Sequence, residues 1–279
     1  MAYKSILAFV PSAATTEATC RCATTLSHHH GAHLTALSVT PEFSIPYAFG
    51  SELPSQFLEA PDKVRHAEIA SIEKMCSDFA RQSSVPLEWR DVHGTRSLIA
   101  DTIIEHGLSS DLVIMPQATG EEWGPWSELP DRVILNVGRP VLVVPAGLKM
   151  HEPPRRILVA WNDSPQSARA VFDALPLLCQ AHAVDVVAVT RSTADETASA
   201  LAVDQVAIAL ARHGVKVEAS TSLDQVATVG QALLDLALKR HADALVMGCY
   251  GHSRFREALL GGVSRKTLSD LHLPVLMSH

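Results

Sequence analysis

The apolar positions of this chain fall into short runs separated by segments of helical periodicity. Ile6 to Val10, Leu34 to Thr40, Asp111 to Met115, Ile157 to Trp161, Val184 to Thr190 and Asp243 to Met247 are such runs. They are too short for helices and typical of strands buried on both faces. Between them, Ala168, Val171, Phe172 and Leu175 recur at helical spacing behind Ser164 and Pro165, a cap and a first-turn proline, and Pro176 should kink or end that helix. Thr228 and Gln231 stand at capping-box spacing ahead of Leu233, Leu234, Ala237 and Leu238. Arg65 to Phe79 and Leu98 to His106 read as helices, the second stopped by Gly107. Strands alternating with helices predict a parallel sheet covered on both faces.

The pattern is written twice. Ile157 opens a strand 151 positions after Ile6, the end of Val184 to Thr190 lies 150 positions after the end of Leu34 to Thr40, and Asp243 lies 132 after Asp111. Arg139-Pro140-Val141-Leu142-Val143 matches Leu273-Pro274-Val275-Leu276-Met277 at an offset of 134. One insertion in the first half, Pro41 to Pro61, explains the drop in register, and its length predicts a functional or mobile segment lying over the first half's cleft or over the other half. A polar, proline-bearing stretch, Gly147 to Pro154, divides the chain into expected domains 1–147 and 154–279.

Composition narrows the function. The 279 residues carry a formal charge of -7, which argues against a general binder of nucleic acid or of anionic membrane surfaces. No apolar run approaches the length of a membrane span, and the start MAYKSILAFV is better read as a first strand than as a secretion signal. Five cysteines, odd in number and without framework spacing, fit reduced thiols in the cytoplasm better than disulfides. Cys20, Cys22, His28, His29, His30 and His33 could be read as a metal cluster. The duller reading is a helix end beside Gly31, favoured when its histidines are protonated, with the two cysteines pointing apart.

The stretch with most chemistry follows the strand at Asp243 to Met247. Gly248 and Gly251 are three apart, Gly261 follows after nine intervening residues, and Gly262-Val263-Ser264 leads into an amphipathic segment. Glycines after a strand let backbone N–H groups approach an anion, and a helix starting near Gly262 would aim its positive end at it. Ser264 offers a hydroxyl, and His252, Arg254, Arg256 and Arg265 make the neighbourhood basic. Phosphate is the expected guest.

This loop, with RRILVAWNDSPQSARAV at the start of the second half, resembles the nucleotide-binding features of the universal stress protein family, and the likeness spans nearly the whole chain as a tandem. The resemblance implies an α/β fold of two doubly wound five-stranded parallel sheets, each in the order 3-2-1-4-5. The last strands of the halves would then be apolar sheet edges that meet at the domain interface or in a homodimer. It also implies an ATP- or AMP-like ligand in the second half, with the base near Asn162, the phosphates at Gly251, Gly261, Gly262 and Ser264, and Gly248 in the same binding loop. Two positions depart from the family. Asn162 stands where an aspartate meets the adenine, with Asp163 in the usual glycine slot, and Gly262 replaces a Ser or Thr beside the phosphates.

The first half departs further. Pro11 stands at the base-contacting position, and Ser127, Glu128 and Pro130 stand where Gly261, Gly262 and Ser264 do, with Glu121 and Glu122 adding charge of the wrong sign. Only the second half should bind nucleotide. No nucleophile-base-acid pattern, Walker loop or HExxH motif is present, so the expected function is a nucleotide-responsive stress protein rather than an enzyme. The alternatives are a ligand-free interaction scaffold, bound to a second copy or to other proteins, and a slow nucleotide hydrolase.

Overall fold

The structure, a computed structural model, describes residues 2–41, 55–94, 98–118, 129–190, 192–223, 228–249 and 271–279. The first half runs β1 (Ser5–Phe9), α1 (Ala13–His30), β2 (His33–Pro41), α2 (Ser55–Gln82), β3 (Leu87–Gly94), α3 (Ile99–Gly107), β4 (Leu112–Pro116), α4 (Leu129–Asn136) and β5 (Val141–Val144). The second runs β6 (Arg156–Ala160), α5 (Pro165–Asp173), α6 (Leu175–Leu178), β7 (Ala183–Thr190), α7 (Thr193–Arg212), β8 (Val217–Leu223), α8 (Val229–Lys239), β9 (Ala244–Gly248) and β10 (Val275–Ser278).

Each half has the expected order, 3-2-1-4-5, with parallel neighbours. The two edges also meet as expected, but not as an interface between two sheets. β5 and β10 pair antiparallel, Val275 opposite Val143 and Met277 opposite Val141, so one continuous ten-stranded sheet replaces the two separate ones. The physical reason is the one that made these edges suspect: an apolar strand with unpaired N–H and C=O groups is a template for another strand. Here the chain supplies that strand itself, which removes the argument for a homodimer through these edges. The outer strands left over, β3 and β8, are only partly buried, and β3 carries Glu88, Arg90, Asp91 and His93, the charges that discourage edge-to-edge association.

Period-2 alternation sends successive strand residues to opposite faces. Ile6, Ala8, Ile114, Leu142, Ile157, Val159 and Leu276 pack with α1, α5, α6 and α7 in one core, while Leu7, Phe9, Met115, Val143, Leu158, Met247 and Val275 pack with α3, α4 and α8 in the other. Both cores run through both halves. Across the seam the Tyr3 hydroxyl donates to the Asp173 carbonyl at 2.8 Å and Arg169 Nη2 to the Gly138 carbonyl at 3.0 Å.

Several local expectations need correction. Phe172 is 45% exposed and lies edge-on to His213, while Ala170 takes the core position. Leu238 is likewise exposed, although Leu233, Leu234 and Ala237 are buried. Thr228 caps Gln231 N–H, but the Gln231 amide bonds Asp235 rather than closing the box. Gly107 does not stop α3 by a left-handed turn: its missing Cβ makes room for Val137, whose Cγ2 would lie 2.5 Å away. The helix expected at Arg65 to Phe79 is longer and takes in the last seven residues of the insertion, Ser55 to Pro61. The rest of the insertion lies outside the described residues.

Cysteines 20 and 76 contradict the reading of reduced thiols. They form a disulfide between α1 and α2, Cα to Cα 5.7 Å, across 56 residues of sequence. Packing of two helices brings them together, which no spacing could announce. Cys22 points the other way, into the sheet core, where burial pushes its thiol up to about 12. His28 meets the Ser83 carbonyl at 2.7 Å, and His30 is buried edge-on against Tyr3. Burial first, then the nearby His29 and Lys4, lowers His30 to about 4, so this histidine is neutral and does not complement the end of α1 by charge. Gly31 does end that helix, at φ 60.

Candidate functional site

In a doubly wound sheet the crevice opens beyond the carboxyl ends of the two strands where the order reverses. In the second half these are β6 and β9, hydrogen-bonded neighbours from Ile157 opposite Ala244 to Ala160 opposite Met247. A cavity of about 50 Å³ lies there, lined by Ala160, Trp161, Asn162, Val187, Val189, Val229, Leu233, Met247 and Gly248. Two of the expected site residues, Asn162 in the turn after β6 and Gly248 at the end of β9, thus line one space. Gly251, Gly261, Gly262 and Ser264 lie outside the described residues.

The turn from β6 into α5 is held by side chains. Ser164 is the N-cap: its Oγ accepts Ser167 N–H at 3.2 Å, and Ser167 Oγ in return accepts Ser164 N–H at 3.1 Å, a full capping box. Ser164 Oγ also donates to Asn162 Oδ1 at 2.6 Å, which ties the residue at the cavity to the helix cap. Asp163 between them takes the left-handed conformation at φ 55, in the slot where the resemblance puts glycine. Aspartate is among the few residues with a side chain that tolerate this region. α5 then ends at Asp173, and Pro176 sits near the start of α6, the break expected of that proline.

Gly248 has a second reason to be glycine, which its spacing did not reveal. A Cβ there would lie 2.3 Å from Gln166 C and 2.4 Å from Ser167 N. The first turn of α5 therefore rests on the end of β9, and the capped helix start, Asn162 and the cavity form one unit. Just beyond, Cys249 continues the strand, its N–H donating to the Ser278 carbonyl at 2.9 Å. Its thiol is buried, and desolvation, aided by Asp131, raises its pKa, so it stays protonated and inert rather than serving as a redox-sensitive thiol.

The same place in the first half is built differently. Pro11 follows β1 where Asn162 follows β6, and Pro116 ends β4 where Gly248 ends β9. Pro130, at the place of Ser264, is buried in the first turn of α4. Glu121, Glu122 and Glu128 lie outside the described residues. Among the described residues no group of histidine, cysteine, aspartate and glutamate could hold a metal, and no helix is long and apolar enough to cross a membrane.

The sequence model of the universal stress protein family matches residues 154–279. The fold of the whole chain is similar to that of a universal stress protein from Archaeoglobus fulgidus DSM 4304, at 15% identity over 98% of this chain and 95% of that one, with a TM-score of 0.72. It is also similar to a putative universal stress protein from Pseudomonas aeruginosa UCBPP-PA14, at 16% identity over 99% and 93% of the two chains and a TM-score of 0.60. A functionally unknown protein from Pseudomonas aeruginosa PAO1 matches at 15% identity over 99% and 92%, with a TM-score of 0.59. No curated protein matches the sequence. The C-terminal half thus matches the universal stress protein family in sequence, and the chain as a whole is similar to members of that family in fold.

Proposed function

We propose that the protein is a nucleotide-responsive binding module that holds one ATP- or AMP-like nucleotide, in its C-terminal half only. The observation that carries this reading is the shared cavity at the strand-order switch, where Asn162 and Gly248 converge beside a capped helix start. The base would lie beside Asn162 against apolar walls from Val187, Val189 and Leu233, and the phosphates would lie on the glycine loop at Gly251, Gly261, Gly262 and Ser264. In the N-terminal half, Pro11 and Pro116 take the two convergent positions, which supports a single site.

The reading needs no chemical step, since among the described residues no nucleophile paired with a base lines the cavity. A role in stress tolerance is what the likeness of the C-terminal half to the universal stress protein family suggests for such a module. The test is direct. Denaturing the freshly purified protein should release a nucleotide identifiable by absorbance and mass, and titrating ATP into the stripped chain should give at most one site. No release and no binding would overturn the reading in favour of an interaction scaffold of the same fold.

A further inference from the structure

α2 and α7 are equivalent helices, each crossing from the second strand of its half to the third, and they are held by different means. α7 drives Val203, Val206 and Leu210 into the larger core. Among the described residues α2 contributes to neither of the two large cores. Its Ile72 and Cys76 pack instead with Val10, Cys20 and Ala36 in a small separate cluster, bordered by Phe79, Leu87 and Trp89. The Cys20–Cys76 bond lies inside that cluster, with both cysteines buried. Two further ties to α1 are slight, Ala13 N–H to Glu68 at 3.5 Å and the Arg21 guanidinium over the Phe79 ring at 4.9 Å, both near the surface. Burial in the main core thus holds α7, whereas a bond that thiols can break holds α2.

We propose that Cys20 and Cys76 form a thiol–disulfide switch that controls whether α2 stays seated on α1. Oxidised, the pair pins the helix over Val10 and Ala36. Reduced, it lets α2 lift and uncovers that apolar patch, next to Pro11 at the switch point of the first half. A dithiol supplies the chemistry. One of its thiolates attacks a cysteine sulfur, the S–S bond breaks to give a mixed disulfide and a cysteine thiolate, and the second thiolate then displaces the other cysteine. The dithiol leaves as a disulfide, two electrons and two protons having passed to Cys20 and Cys76, and an oxidised dithiol runs the exchange backward. Since both sulfurs are buried, attack waits for α2 to open, so the redox state of the pair and the seat of the helix are coupled. Cys22, which points into the sheet core, stays out of the exchange. The switch does not depend on the nucleotide reading.

The test compares the full chain after incubation with oxidised or with reduced dithiothreitol. Alkylation of denatured aliquots, read by mass, should label only Cys22, Cys179 and Cys249 in the first sample and all five cysteines in the second. Amide hydrogen exchange across Arg65 to Gln82 should then be about a hundredfold faster in the reduced chain, the size expected for losing a bond that closes a long loop. Exchange across α7 should be the same in both samples. Cys76→Ser and Cys20→Ser should each show the fast exchange in α2 with either reagent. Exchange in α2 that ignores reduction would overturn the switch, and so would alkylation of Cys20 and Cys76 after treatment with oxidised dithiothreitol. Equal acceleration in α7 would overturn it as well, because the bond would then secure the whole fold rather than one helix.

Discussion

The two halves of this chain have the same strand order and the same two-faced core, yet they build the turn at the switch point in opposite ways. After β1 the chain passes through Pro11 and an extended Ser12, φ -152, whose side chain makes no capping bond, into the long helix α1. After β6 it passes through Asn162, a left-handed Asp163 and a fully boxed Ser164 into a short helix seated on Gly248. At the first turn Ala13 N–H reaches Glu68 of α2 at 3.5 Å, and its helix is tied to α2 by the Cys20–Cys76 disulfide. The second keeps a cavity and polar groups beside it. The fold needs only the first arrangement, so the second reads as a site.

The sharpest way to break this contrast is to move the first half's chemistry into the second. Gly261→Glu places a carboxylate on the glycine loop, next to the position where the N-terminal half has Glu128, and it should lower nucleotide affinity by several decades while leaving the far-ultraviolet circular dichroism unchanged. Loss of several charge-assisted hydrogen bonds, each worth roughly 1.5 to 3 kcal/mol, sets that size. Binding that ignores the substitution would mean the glycine loop holds no phosphate.

Next in size is Gly248→Ala. The added carbon meets helix backbone rather than a flexible side chain, so α5 must shift, at a cost of about 3 kcal/mol in urea unfolding and with distortion of the cavity. An unchanged unfolding midpoint would show that the helix yields freely, and the site would lose its rigid floor.

A pH scan separates the halves by another route. His30 titrates near 6.5 when unfolded and near 4 in the folded chain, so protons favour the unfolded state in this window. The contribution is complete above pH 6.5 and falls as pH drops toward 4, by on the order of 2 kcal/mol. At the corresponding helix end of the second half, His182 is exposed and Ala181 is buried. His30→Phe, which keeps a ring against Tyr3, should therefore flatten the acid side of a melting-temperature profile. A profile as steep as before would place the acid sensitivity elsewhere.

How much of this was legible beforehand follows from the range of the interactions. Strand identity, the cap at Ser164 and the break at Pro176 are local, set by the residue and its neighbours, and the sequence shows them. The order of the strands came from the resemblance to a known family, and the repeat showed only that both halves would share it. The antiparallel seam between β5 and β10, the seat of Gly248 on Gln166 and Ser167, and the pairing of Cys20 with Cys76 join residues far apart in the chain, and no period or spacing carries them. Phe172 misled for a related reason: helical periodicity gives a face to within a residue, and here Ala170 and Val171 hold it. The amide of Asn162 could be read from sequence as both donor and acceptor. Its 2.6 Å contact with Ser164, which ties it to the helix cap, could not.

The helix caps offer a smaller test. Ser164→Ala removes an acceptor for a buried helix N–H and should cost about 1 kcal/mol, whereas Ser12→Ala, at a cap with no such bond, should cost well under that. Equal costs would mean the capping box contributes nothing beyond what any serine does at a helix start.

A comparably small effect concerns the backbone alone. At a left-handed position glycine adopts the backbone freely and alanine does not. Asp163 is left-handed, at φ 55. Among substitutions at position 163, glycine should therefore be more stable than alanine by about 1 kcal/mol. Comparing alanine with glycine at one site cancels the loss of the native side chain, including any favourable charge of Asp163 near the start of α5. Two unfolding curves suffice, and they need no ligand. Alanine as stable as glycine would mean that the turn leaves the left-handed conformation without cost, and the contrast between the halves would reduce to side chains alone.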